Sequence, residues 1–250
     1  MHSGSSPGRA ALPLGWHCLQ GKRRPGLLAS AMPTTVFLDV NETLLDLSAL
    51  DPHFTAAFGD AQTRPKWFAE LLQLALTHTV TGDYRDFSVL GEAALHALGQ
   101  KLGQPVPADL PEQVRATMRQ LPPHPDTRAA LERLRGGGAA LYALTNNPLP
   151  VVQAQLEHAG LSDLFTGVLS ADTVQTLKPG RAAYLHGLQA AGADAADSWL
   201  VAAHGWDITG ARAAGLRTAF VTRPGQAQNP LAPADVSGPL AEVAATVLAG

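Results

Sequence analysis

The sequence predicts an α/β fold, a parallel sheet core with helices on both faces, interrupted after its first strand by a block of helices. Three observations carry this prediction. In the second half of the chain, apolar runs of strand length alternate with segments of helical period. Between residues 51 and 121 the strand signal disappears and only the helical period remains. The runs that read as strands end on polar residues, as strands do when their carboxyl ends form a site.

The elements follow in order. "TTVFLDV", residues 34–40, is rich in β-branched residues and follows Pro33, which marks a buried strand. In the next block, "KWFAELLQLALTHTV" and "FSVLGEAALHALGQKL" carry apolar residues three and four apart. "ADLPEQVRATMRQL" adds a helix with Pro111 near its start, so the block holds three or four helices. "PPHPD", residues 122–126, marks the return to alternation. Helix "TRAALERLR" leads to strand "AALYALT", helix "VVQAQLEHAG" to strand "FTGVLSA", and helix "AAYLHGLQAAG" to strand "SWLVAA". Helix "ITGARAAG" and strand "RTAFVT" come next, then a loop rich in proline, glycine and asparagine, and a closing helix "PLAEVAATVLAG". The expected boundaries are a core of residues 32–48 and 122–250 and a helical domain of residues 49–121. Residues 1–31 contain no acid and read as a disordered N-terminal extension rather than a targeting segment, because Pro7, Pro13 and Pro25 break any amphipathic helix.

Composition narrows the function classes. An apolar content of 46% with 16% charged residues suits a globular protein with a real core. A net charge of −3 gives no basic stripe for nucleic acid or an anionic membrane. The single cysteine, Cys18, excludes disulfide scaffolds and cysteine-based zinc sites within the chain. No apolar run approaches the ~20 residues of a membrane helix.

The strand-end rule selects Asp39, then Thr145 with Asn146 and Asn147, the "LKPG" segment at Lys178, and "HGWD" from His204 to Asp207. These residue types suit one another. A carboxylate is a weak nucleophile that needs desolvation and aim, and a nearby lysine keeps it ionised. Backbone N–H groups in the turn after Asp39, at Val40 and Asn41, can bind an anion. Taken singly, each residue also has a plainer reading as a helix cap, a turn or a solvated loop residue.

"DVNET", "LTNN", "LKPGRAAY" and "AAHGWDITGA" resemble, in order, the four motifs of the haloacid dehalogenase superfamily, and the helical block is similar to its cap domain. The resemblance implies a Rossmann-like core with the cap inserted after the first strand. It implies Asp39 as nucleophile, Thr43 and Thr145 as steering hydroxyls, Lys178 as the cation holding Asp39, and Asp207 as support for Lys178. Most members are magnesium-dependent phosphohydrolases whose acid, two residues after the nucleophile, protonates an alkoxide. Water, with a pKa of about 15.7, shows how poor a leaving group an alkoxide is without that proton. Asn41 occupies that position here and cannot supply it.

A halide leaves without a proton, and "WDITGA" together with Tyr184 resembles the 2-haloacid dehalogenase group. The expected reaction is hydrolysis of short 2-haloalkanoic acids to 2-hydroxy acids, by SN2 attack of Asp39 on carbon and hydrolysis of the aspartyl ester. No cofactor and no metal are expected, the partner is a small-molecule haloacid, and the location is cytoplasmic. Homodimers are common among similar proteins. A phosphatase-like hydrolase of the same superfamily and a non-catalytic member are the alternatives.

Two departures from the group bear on mechanism. Ala202 and His204 stand where serine and asparagine are common, and Glu42 adds an acid. One reading has His204, neutral near its ordinary pKa of about 6.5, activating the hydrolytic water with Glu42 orienting it. The other has Glu42 as an exposed acid at a helix start and His204 as a packed imidazole. For substrate binding, Arg64 resembles the arginine these enzymes place over the halogen or carboxylate, with Arg85 as a second candidate. Trp67, Phe68, Phe87 and Trp206 would enclose the halogen, although helix packing is the plainer role for the first three. Asn146 would donate to the departing halide.

Overall fold

The computed structural model describes residues 33–250, so the expected N-terminal extension lies outside the described residues. Six strands form one parallel sheet in the order β3-β2-β1-β4-β5-β6. They are β1 (Thr35–Leu38), β2 (Ala140–Thr145), β3 (Gly167–Ser170), β4 (Ser198–Ala202), β5 (Arg217–Val221) and β6 (Val236–Gly238). The chain leaves β1 toward β2 on one side and returns to place β4 on the other, so β1 lies at the point where strand order reverses. Ligand crevices of parallel sheets open at that point. The register is strict, with Leu38 paired to Ala143 of β2 and to Val201 of β4. Asp39 therefore emerges level with the ends of both neighbours.

Strand alternation divides the core in two. Val36 and Leu38 face a large apolar cluster, while Phe37 faces a smaller one. The large cluster takes Leu131 from α5 (Thr127–Gly136), Leu156 from α6 (Leu149–His158) and Val243 from α9 (Leu240–Ala249). The smaller one takes Tyr184 from α7 (Arg181–Ala191) and Ile208 from α8 (Gly205–Ala213).

The helical block consists of α1 (Asp51–Phe58), α2 (Thr63–Thr81), α3 (Phe87–Leu102) and α4 (Leu110–Met118). Phe54, Trp67, Leu71 and Leu90 from these helices belong to the same cluster as Val36 and Leu38. The insertion and the sheet thus share one apolar interior. Among the described residues, no helix is long and apolar enough to cross a membrane.

Two elements differ from expectation. β6 lies within the stretch read as irregular loop, where three residues add a short edge strand through pairs such as Ala219 with Val236. So short a segment, half exposed and flanked by proline, has no periodicity to detect. In addition, α8 begins at Gly205, three residues before the expected helix, so Trp206 and Asp207 lie in its first turn.

Close approach fixes that turn. A Cβ on Gly205 would lie 2.6 Å from the Asn229 nitrogen and 2.8 Å from the Ala227 carbonyl oxygen. A Cβ on Gly210 would lie 2.5 Å from the Tyr184 hydroxyl and 2.9 Å from the Pro179 carbonyl oxygen. Gly210→Ala is therefore expected to push α8 off the segment carrying Lys178 and to destabilise the protein by about 1–3 kcal/mol in urea unfolding.

Candidate active site

At the end of β1, Asp39 is buried and its N–H donates to the Val201 carbonyl at 3.0 Å, which fixes its backbone between the neighbouring strands. Lys178 Nζ donates to Asp39 Oδ1 at 2.9 Å, to Asp207 Oδ2 at 2.7 Å and to the Leu144 carbonyl at 2.8 Å, so all three of its hydrogens are used. Asn146 fixes the lysine's backbone from both sides, with Oδ1 accepting from the Lys178 N–H at 2.7 Å and Nδ2 donating to its carbonyl at 3.1 Å. The Tyr184 hydroxyl donates to Asp207 Oδ1 at 2.6 Å. Thr43 Oγ1 donates to Asp39 Oδ2 at 2.6 Å and accepts from the Ala203 N–H at 2.9 Å.

These contacts set the charge states. Burial opposes ionisation of Asp39, but Lys178, His204 and Thr43 together hold its carboxyl well below the usual carboxylate range. Burial likewise opposes the charge of Lys178, and the Asp207 and Asp39 carboxylates outweigh it and raise its pKa. Burial pushes the Asp207 carboxyl up against the pull of Lys178. Both of its side-chain partners, Lys178 and Tyr184, are positioned as donors.

The surroundings of His204 speak against the reading in which its imidazole is neutral. Nδ1 faces Asp39 Oδ2 at 3.1 Å and Nε2 faces Glu42 Oε2 at 2.9 Å. Burial acts against protonation, but hydrogen bonds to the two carboxylates win and raise the pKa to about 9. At neutral pH the ring is an imidazolium with no lone pair to offer a water. Glu42 is also not an exposed acid at a helix start. It sits in a tight turn with φ 59°, largely buried, bonded to His204, Arg64 and Gln226.

A small cavity of about 10 Å³ opens beside Asp39, lined among others by Asn41, Phe68, Phe87, Thr145, Asn146 and Trp206. That is room for about one water. The indole nitrogen of Trp206 is buried there without a hydrogen-bond partner. The N–H groups of Val40 and Asn41 carry no hydrogen bond from the described residues, while the Val40 side chain belongs to the apolar core. Thr145 does not reach Asp39; its hydroxyl accepts from the Asn147 N–H at 3.2 Å and shapes the turn after β2.

Three expected substrate contacts are engaged with other protein groups in this structure. Arg64 is held by Asp51 at 2.7 Å and Glu42 at 3.1 Å, and it lines a polar pocket on the far side of Glu42. Arg85 is exposed and paired with Asp83. Trp67 donates to the Gly91 carbonyl at 2.9 Å and meets Phe54 in a tilted ring contact, and so packs the helices together.

Two glutamines escaped the sequence reading. Gln155, fully buried on α6, donates through Nε2 to Asn41 Oδ1 and to the Met118 carbonyl, and accepts from Asn147 through Oε1. Its place between Val152 and Leu156, at helical spacing on the apolar face, was a readable signal. Gln226, in the loop after β5, carries no such signal. Among the described residues, no three acid or histidine side chains group as a cation site.

Lys178→Met is expected to destabilise the protein by about 3–5 kcal/mol at neutral pH, because two buried carboxylates lose their counter-charge. Chemical denaturation across pH checks the sign. In the wild type, the depressed Asp39 contributes stability above its unfolded pKa, and that contribution fades as pH falls. In the variant, acid relieves the penalty by protonating the abandoned carboxylates, so the gap to wild type narrows as pH falls.

Comparison with known proteins agrees with this geometry. The family described as haloacid dehalogenase-like hydrolase matches residues 33–215. The (S)-2-haloacid dehalogenase of Xanthobacter autotrophicus is 30% identical over 214 residues, covering 84% of this chain and 82% of its own. That of Pseudomonas sp. (strain YL) is 29% identical over 196 residues, covering 76% and 83%. Among solved structures, an L-2-haloacid dehalogenase superposes with a TM-score of 0.81 at 25% identity, covering 86% of this chain and 98% of its own. The Xanthobacter autotrophicus enzyme with chloropropionic acid covalently bound gives 0.78 at 24% identity, with the same coverage. With four motif regions converging on Asp39 in a six-stranded parallel sheet, the chain belongs to the haloacid dehalogenase-like hydrolase family.

Proposed function

We propose that the protein hydrolyses short 2-haloalkanoic acids to 2-hydroxy acids. Asn41 carries this reading: the side chain two residues after the nucleophile is an amide, with its oxygen held by Gln155 Nε2 at 3.1 Å. It has no proton to give an alkoxide, and a departing halide needs none. Asp39, desolvated and kept ionised by Lys178, attacks the halogen-bearing carbon. The bond from the carboxylate oxygen forms as the carbon–halogen bond breaks, and the halide takes the electron pair. Water then adds to the ester carbon. One of its protons ends on the product hydroxyl and the other leaves to solvent.

The unpaired N–H groups of Val40 and Asn41 suit the substrate carboxylate, and the orphaned Trp206 indole N–H suits the departing halide. A haloacid is larger than the space beside Asp39, so residues 49–121 act as a cap whose Phe68, Leu72 and Phe87 move outward to admit it. The (S) preference of the named relatives, a cytoplasmic location and a homodimer belong to the same reading.

Halide release from 2-chloropropionate and haloacetates in EDTA tests it. The expected result is metal-independent release from the wild type, reduced at least about a thousandfold in Asp39→Asn. Turnover of phosphate esters that requires magnesium, without halide release, would favour the phosphatase alternative, and neither activity would favour the non-catalytic one.

A further inference from the structure

His204 is held more firmly than a packing residue requires. Besides the carboxylates at both nitrogens, it stacks on Trp206, with centroids 5.1 Å apart, and packs against Phe68, at 6.0 Å. Glu42 is fixed in turn: Gln226 Nε2 donates to Oε2 at 2.9 Å, Arg64 Nη1 to Oε1 at 3.1 Å, and His124 Nε2 lies 3.1 Å from the Glu42 backbone carbonyl. Its left-handed backbone, at φ 59°, is a conformation that a side chain resists and that the surrounding contacts must enforce.

The two oxygens of Asp39 are consequently unequal. Oδ2 accepts from Thr43 and His204, whereas Oδ1 accepts from Lys178 alone. We propose that Glu42 and Gln226 are positioning residues that keep His204 a charged donor on Oδ2 of Asp39, leaving Oδ1 as the oxygen that attacks carbon. The proposal rests on the dehalogenase reading above. An oxygen with fewer donors keeps more electron density for attack. After Oδ1 has bonded to carbon and the halide has left, Oδ2 is the ester carbonyl oxygen, still facing Thr43 and His204. When water adds, the electron pair moves onto Oδ2, where both donors stabilise it as an oxyanion. Collapse breaks the bond between Cγ and Oδ1 and restores the carboxylate. His204 in this scheme stabilises charge and does not abstract a proton from water.

Every charged group around the ring bears on its protonation. Asp39 and Glu42 favour it, while Lys178, 5.7 Å from the Trp206 ring, and Arg64 oppose it. Asp51 offsets Arg64, and Asp46, His124 and Arg223 line the polar pocket of about 220 Å³ onto which Glu42 opens. Glu42 thus meets the ring at Nε2 and faces that pocket, while the cavity beside Asp39 lies on the Nδ1 side.

The full-length protein serves for the test. The His204 ring nitrogens are titrated by NMR, and kcat/KM for 2-chloropropionate is followed against pH, in the wild type, Glu42→Gln, Gln226→Leu and His204→Asn. In the wild type, His204 is expected to titrate at about 9, with kcat/KM falling as pH rises through that value. Glu42→Gln should move both downward by about one unit, so that above the wild-type limb its kcat/KM falls about tenfold further than that of the wild type. Gln226→Leu should move them the same way by less. His204→Asn keeps a neutral donor, so it should turn over more slowly and lose the alkaline limb. A titration at or below the ordinary histidine value, one that Glu42→Gln does not move, or a kcat/KM that rises through the His204 titration as a general base requires, overturns the proposal. Absence of halide release by the wild type would defeat the dehalogenase reading instead, and the NMR titration would still decide the role of Glu42.

Discussion

One ammonium group, Nζ of Lys178, sits out of water between two carboxylates and a carbonyl, and the rest of the site is arranged around that requirement. A buried charge without partners costs several kcal/mol, so Asp39 and Asp207 must arrive at the same point from different elements. β1 delivers Asp39 from the sheet centre, and the first turn of α8 delivers Asp207. Leu144, one residue before the end of β2, supplies the third acceptor through the register that pairs β1 with β2. Tyr184 and Asn146 take no charge but hold the carboxylate and the lysine backbone in place.

The electrostatics extend outward in a regular way. From the interior to the rim, Asp207, Lys178, Asp39, His204, Glu42, Arg64 and Asp51 form a chain of contacts in which the sign alternates at each step. Each ion is compensated on both sides except at the ends. Such a chain lets several charges be buried together that could not be buried singly. It also places Arg64 between two carboxylates, those of Glu42 and Asp51.

The fold and the central site were largely legible in the sequence because both rest on local signals. Apolar runs of strand length and helical periods gave the sheet and the insertion, and polar residues at strand ends gave Asp39, Lys178, His204 and Asp207. What escaped depends on which side chain meets which across space. The ion pairs of Arg64 fix its direction, and no spacing in "RPKWF" announces them. The charge of His204 depends on two carboxylates that both reach it, and the sequence offered Glu42 equally as a partner of His204 and as an exposed acid. β6 was missed because an edge strand of three residues has no pattern long enough to read.

Gln155 has a mechanical consequence. Its amide nitrogen grips Asn41, two residues past the nucleophile, and the carbonyl of Met118, the last residue of α4. The loop that carries the nucleophile and the point where the helical insertion rejoins the sheet are thereby pinned to one side chain. Any rocking of the helices against the sheet has to keep these two hydrogen bonds or break them. A change of packing among the helices is therefore felt at the nucleophile loop through one side chain.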